Sequence, residues 1–126
     1  MIDVTSSMKP YIEKTKENVQ SIVEKVKEAF ENARVRVALV GYRDFESLYL
    51  RRKIKPKHFE IMDFTEDASD FIAFIKNIKP DGGADYPEDV LGAINKTIHL
   101  KWNAANRIIL HIGNYHIYQT YQHAQP

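Results

Sequence analysis

Oxygen-bearing side chains stand at alternate positions near the start of the chain. Asp3, Thr5 and Ser7 follow two apolar residues and precede a long helical pattern. In a tight turn from strand to helix, this spacing places all three side chains around one point. Carboxylate and hydroxyl oxygens are hard ligands that suit Mg²⁺, Mn²⁺ or Ca²⁺. The segment therefore predicts a cation site, and the alternative is that Thr5 and Ser7 only cap the following helix.

A second segment of similar chemistry has the sequence DGGADYPED at residues 81–89. Its glycine pair is typical of a loop, and its proline is typical of the first turn of a helix. Asp85 is expected to point from this loop toward the same edge of the sheet as Asp3. The alternatives are that Asp85 caps the next helix and that Glu88 and Asp89 only complement the helix dipole.

A phosphate-binding enzyme is the competing chemistry for the first segment, because an acid, hydroxyls and a helix N-terminus together suit a phosphate group. A phosphatase of the haloacid dehalogenase type would need a second aspartate two residues after its nucleophile, as general acid. Thr5 occupies that position after Asp3, and no downstream lysine is clearly placed to neutralise the phosphate. A non-enzymatic binding role is therefore favoured over hydrolysis.

Three extended segments must form the sheet that positions these residues. Residues 35–42 and 107–112 are apolar runs with little alternation, which is typical of strands buried on both faces. Residues 58–64 alternate and predict an edge strand. Because ligands of such sheets bind beyond the carboxyl ends of the strands, the site is expected there. This edge is expected to collect residues 3–7, 41–45 or 81–85, and 113–116.

Helical patterns alternate with these strands and indicate an α/β sheet covered on both faces. Apolar spacings of three and four predict a helix over residues 10–32, with Lys16 among the charged residues of its solvated face. A second helix is predicted over residues 66–78, capped by Thr65. A third begins at Pro87, and its expected core residues are Val90, Leu91, Ile94 and Ile98.

Composition narrows the function classes. The chain has 126 residues, a formal net charge of +1 and no cysteine. The balanced charge argues against nucleic-acid binding, and the missing cysteine excludes disulfides and Cys-ligated zinc. No apolar run approaches the ~20 residues that span a bilayer, and the start of the chain lacks signal-peptide features. A cytoplasmic protein without a membrane partner is expected.

Five segments together resemble a von Willebrand factor A domain, of the intracellular type found with alpha-type protein kinases. They are MIDVTSSM, VALVGYRDF, DFTED, GGADYPEDV and the closing HIG. The resemblance extends to about Gly113. It implies a Rossmann-like three-layer α/β sandwich, with a mostly parallel sheet and one antiparallel edge strand. It further implies a protein-binding module with one Mg²⁺ or Mn²⁺ ion at the carboxyl edge, and no catalysis.

The resemblance also implies roles for individual residues. Thr5 and Ser7 match direct ligands of the family's metal-ion-dependent adhesion site, and Asp3 matches a ligand that acts directly or through water. Asp85 lies about where this type places a further loop ligand. The family expects an acid where this chain has Asn114, so weaker cation binding is expected because affinity depends on ligand charge. An acidic side chain of a protein partner would complete the coordination.

The resemblance implies a domain that is incomplete at both ends. Residues 1–114 are assigned to a partial domain and residues 115–126 to a tail of uncertain structure. An exposed sheet edge is expected to favour self-association. The alternative function is a metal-free structural or degenerate form of the domain. Arg43 and Asp44 are expected to pair or to fix a loop rather than to act on a substrate. The basic run at 51–57 is expected to be a solvated connection rather than a phosphate-binding patch.

Overall fold

The computed structural model describes residues 1–44, 56–83 and 88–113. Its three-stranded sheet has the order β1 (Ile2–Asp3), β2 (Val37–Tyr42) and β3 (Phe59–Thr65). β1 runs parallel to β2, and β3 runs antiparallel to β2 at one edge of the sheet. On the other side, Ile112 forms a parallel bridge with Ile2. The predicted antiparallel edge strand is therefore confirmed.

Helices cover both faces of the sheet. A short 3₁₀ turn (Ser6–Met8) leads into α1 (Ile12–Ala29), and α2 (Ala68–Asn77) and α3 (Val90–Ile98) follow later. Leu39 of β2 packs in a core cluster that includes residues of α1 and α2, whereas the next residue, Val40, packs with Ala93 of α3. Successive strand residues point to opposite faces. The fold is therefore an α/β sandwich with the sheet between two helical layers.

The predicted core face of α3 is wrong for three of its four residues, since only Val90 packs against the cluster of Val40 and Ala93. Ala93 and Thr97 are the buried residues of the helix, whereas Leu91 is 80% exposed and Ile94 and Ile98 are also exposed. Small residues let the helix approach β2 closely. The buried Thr97 hydroxyl donates to the Ala93 carbonyl at 2.8 Å, so this hydroxyl does not need a hydrogen bond to water. Burial here follows the small side chains rather than the large apolar ones.

The prediction that Lys16 lies on the solvated face of α1 is also wrong. Its side chain is only 10% exposed. The Nζ atom donates to Glu13 Oε1 at 3.0 Å and to the Lys76 carbonyl at 3.3 Å. A lysine stem can bury its methylene groups when its ammonium group keeps polar partners. Lys16 thereby joins the α1 layer to the end of α2.

Residues 107–112 do not form the predicted strand buried on both faces. Only Ile112 pairs with the sheet, while Ile108 is 80% exposed and Ile109 and Leu110 are exposed as well. The backbone of this segment is held through Met1 and Asp3, because Ile112 donates to the Met1 carbonyl and accepts from Asp3. Within the described ranges, no element covers the large side chains of residues 108–110.

Two further details concern the helices. The side chain that caps α2 is Asp67, which accepts from the backbone of Ser69 and Asp70, and not Thr65 as predicted. Thr65 instead accepts a hydrogen bond from the Asp67 backbone at 3.0 Å. In the described part of the chain, no helix is long and apolar enough to cross a membrane.

Candidate functional site

Asp3, Thr5 and Ser7 form one hydrogen-bonded network at the end of β1. Asp3 Oδ1 accepts from the Thr5 backbone at 2.8 Å and from the Thr5 hydroxyl at 2.7 Å. The Thr5 and Ser7 hydroxyl oxygens are 2.9 Å apart. Because the Thr5 proton points to Asp3, Ser7 is the donor in that second contact. The sequence spacing therefore gathers the three side chains as expected.

The network runs from the protein interior to its surface. Asp3 and Thr5 are fully buried, whereas Ser7 is exposed. Neither Thr5, at the start of the 3₁₀ turn, nor Tyr11, at the start of α1, makes a side-chain capping bond. Simple capping by Thr5 or Ser7 therefore does not explain these hydroxyls, since Thr5 bonds to Asp3 and to Ser7 instead.

The glycine loop that begins at Asp81 packs directly against the network. Asp81 donates its backbone N–H to the Val4 carbonyl at 3.0 Å, and the Ser6 N–H donates to the Gly82 carbonyl at 2.8 Å. Gly82 and Gly83 have φ angles of 85° and 94°, in the left-handed region that favours glycine. A Cβ atom on Gly83 would lie 3.4 Å from Thr5 Cβ. These glycines therefore allow the loop to approach Thr5.

Arg43 fixes the loops around this edge, as the sequence indicated. It is almost completely buried and forms an ion pair with Glu60 at 2.7 Å. Its guanidinium also donates to three backbone carbonyls, those of Lys57, Lys79 and Asp81. One side chain thus holds the start of β3 and the glycine loop against the end of β2.

Two acids that the sequence analysis did not assign to the site lie at the same edge. Asp44 is fully buried just after β2, and Glu88 is half-buried just before the capping residue of α3. Burial, together with the Asp3 and Asp44 carboxylates, raises the pKa of Glu88. The position of Asp44 directly after a strand was the available signal, because strand ends collect at the carboxyl edge.

One buried oxygen of the network remains without a hydrogen bond from any described residue. It is Asp3 Oδ2, on a side chain that is fully buried. Such an atom calls for a ligand, because buried polar atoms are nearly always satisfied. The carboxylate and the two hydroxyls are also oxygen donors of the kind that Mg²⁺ and Mn²⁺ accept. This part of the predicted ligand set fits a divalent cation.

The remaining predicted ligands, Asp85 and Asn114, lie outside the described residues, as does most of the basic run at 51–57. Among the residues that are described, no group of three acidic or histidine side chains forms a ready-made metal cluster.

Two comparisons with known proteins indicate the family of the chain. A family model described as von Willebrand factor A domain matches residues 1–106. The alpha-protein kinase vwkA of Dictyostelium discoideum is 27% identical to the chain over 125 residues. That alignment covers 98% of this chain but only 19% of the kinase, so the chain spans about a fifth of that relative's length. No solved structure gives a significant match.

Proposed function

Because the chain belongs to the von Willebrand factor A domain family, we propose that it binds its protein partner through a divalent cation. Membership of the family makes it a protein-interaction module. The proposed ligands are Asp3, Thr5 and Ser7, with Asp85 and Asn114 from the two loops that follow. When bound, Mg²⁺ or Mn²⁺ would offer an open coordination position to an acidic side chain of the partner. No catalytic step is proposed.

The buried Asp3 carboxylate is the observation that supports this proposal most strongly. Its Oδ1 atom orients Thr5 through two hydrogen bonds, whereas Oδ2 accepts none from the described residues. Since the Thr5 proton points to Asp3 and one lone pair of the Thr5 oxygen accepts from Ser7, the second lone pair is left for a cation. Asp3 therefore prepares a neutral hydroxyl as a ligand and keeps one charged oxygen for a cation.

A thermal melt in EDTA and then in millimolar Mn²⁺ tests the cation. Binding at 100 times the dissociation constant should add about 2.7 kcal/mol to the free energy of unfolding. We expect this gain in the wild type, its loss in Thr5→Val, and its retention in Thr5→Ser, which keeps the hydroxyl. Equal melting temperatures of the wild type with and without Mn²⁺ would contradict the cation site.

The partner is tested separately, with a displayed library of acidic peptides selected in Mn²⁺ and eluted with EDTA. We expect wild-type chain to enrich peptides with an essential Asp or Glu, and Thr5→Val to enrich none of them. Enrichment that is insensitive to EDTA would contradict cation-mediated contact.

We also propose a cytoplasmic location, in keeping with the kinase named among the relatives. Fractionation of cells that express the tagged chain would test this location.

A metal-free form of the module is the second candidate. It is favoured by Asn114, which stands where the family expects an acid, because cation affinity depends on ligand charge. In that case the domain would contact its partner through side chains alone. Partner binding that is unchanged by EDTA, in wild type and Thr5→Val alike, would support this candidate.

A further inference from the structure

Three acids from separate parts of the chain gather at the carboxyl edge of the sheet. Asp3 ends β1 and pairs in register with Tyr42, so it lies beside the residues that end β2. The Asp89 backbone donates to the Arg43 carbonyl at 3.1 Å, and this bond holds the segment before α3 against the same strand end. Asp44 follows Arg43 in the chain, and Glu88 precedes Asp89. This backbone bond therefore brings both acids to the edge where Asp3 is buried.

The adjacent buried cation does not face these acids. Arg43 directs its guanidinium to Glu60 and to backbone carbonyls of the surrounding loops. Like charges at such an edge repel one another, and the repulsion is stronger than in water because the protein interior screens it less. Burial is the main cause of the raised pKa of Glu88; a backbone hydrogen bond opposes it, and the charges of Asp3 and Asp44 raise the pKa further.

The buried carboxylate of Asp3 is an independent observation that indicates a ligand at this edge. Asp3 Oδ2 is buried and accepts no hydrogen bond from a described residue. Asp3 is also the only charged member of the network with Thr5 and Ser7. Asp85, from the loop that follows, is the other acid among the proposed ligands, and cation affinity rises further with each negative charge added around the ion.

We infer that Glu88 is an electrostatic part of the cation site and adds its negative charge beside the Asp3–Thr5–Ser7 network. This inference rests on the proposed function. Glu88 acts through its charge rather than as one of three clustered ligands, since the described residues contain no such cluster. In the absence of a cation the same charge destabilises the fold, and a bound cation removes that cost.

Glu88→Gln tests the inference, because the substitution must change two quantities in opposite directions. Without a cation, the variant should melt at a higher temperature than the wild type, since a repelled charge is gone. Its Mn²⁺ dissociation constant, measured by titration calorimetry, should rise by about 10-fold or more, as for other residues around a bound metal. Glu88→Asp should keep the wild-type affinity within about threefold, because the charge is retained.

The matched control is Glu31→Gln, which removes the same charge from an exposed position. This variant should change neither the melting temperature without a cation nor the Mn²⁺ dissociation constant. Wild-type Mn²⁺ affinity in Glu88→Gln would overturn the inference and leave the proposed function standing. A wild type that does not bind Mn²⁺ would overturn both. A Glu88→Gln variant that melts lower than the wild type, or fails to fold, would also overturn the inference, because removal of a repelled charge must stabilise the protein.

Discussion

Replacing Arg43 with methionine should destabilise the fold by about 3–5 kcal/mol, the usual cost of removing one partner of a buried ion pair. The Arg43 side chain is 3% exposed and that of Glu60 is 22% exposed, with 2.7 Å between Nη2 and Oε1. The substitution would leave Glu60 as an uncompensated charge. It would also remove the donor from three carbonyls, those of Lys57, Lys79 and Asp81.

Urea unfolding, followed by a thermal melt, measures this loss. At about 4 °C per kcal/mol for a chain of this size, the melting temperature should fall by about 12–20 °C. Glu60→Gln is the control, because the amide oxygen can still accept from Arg43 and the loss should be only about 1–2 kcal/mol. If methionine at position 43 prevents folding, Arg43→Lys should fold with an intermediate loss, since an ammonium group has three donors. A loss below about 1 kcal/mol in Arg43→Met would refute the role assigned to this side chain.

Three other predictions concern the helix cap, the pH dependence and the sheet edge. Gly92→Ala should destabilise the fold by about 1 kcal/mol, because its Cβ would lie 2.1 Å from Asp89 Oδ2 and displace the cap of α3. In an Asp89→Ala background the same change should stabilise the helix. Urea unfolding of the wild type, the two single variants and the double variant checks this reversal. Without divalent cations, stability should fall as pH rises above 4.5, the ordinary pKa of Glu88, because the folded state retains a proton that the unfolded state loses. Glu88→Gln should remove this fall in a pH series of melts. Finally, sedimentation should show self-association that Ile108→Lys suppresses, since residues 108–110 expose large apolar side chains; a monodisperse monomer would contradict it.

The periodicity of the sequence was sufficient for β2 and β3, but it also predicted a buried strand over residues 107–112, of which only Ile112 pairs with the sheet. The apolar run that contains β2 and the alternating run that contains β3 both lie where they were predicted. The face of α3 could not be predicted in this way, because the buried positions are occupied by Ala93 and Thr97. Hydropathy favours large apolar residues such as Leu91, whereas close packing on a strand favours small ones. That choice depends on the distance between helix and sheet, which local sequence does not encode.

The candidate site was only partly predictable, for a similar reason. Spacing within one turn was enough to bring Asp3, Thr5 and Ser7 together. Glu88 reaches the same edge through a tertiary contact, the bond from the Asp89 backbone to the Arg43 carbonyl. From sequence alone it resembled an acid that complements a helix dipole. Long-range backbone contacts of this kind leave no periodic signal.

Burial at the end of β1 links the fold to the proposed function. Val4 is fully buried between Asp3 and Thr5, and its carbonyl accepts the Asp81 N–H of the glycine loop. Two of the three members of the network, Asp3 and Thr5, are therefore core residues that a cation would not have to organise. Its binding energy should then appear as added stability of the whole domain, which is why melting is a direct readout. Ser7 is the exposed member of the network, so we expect a partner to approach the proposed cation site from the side of Ser7.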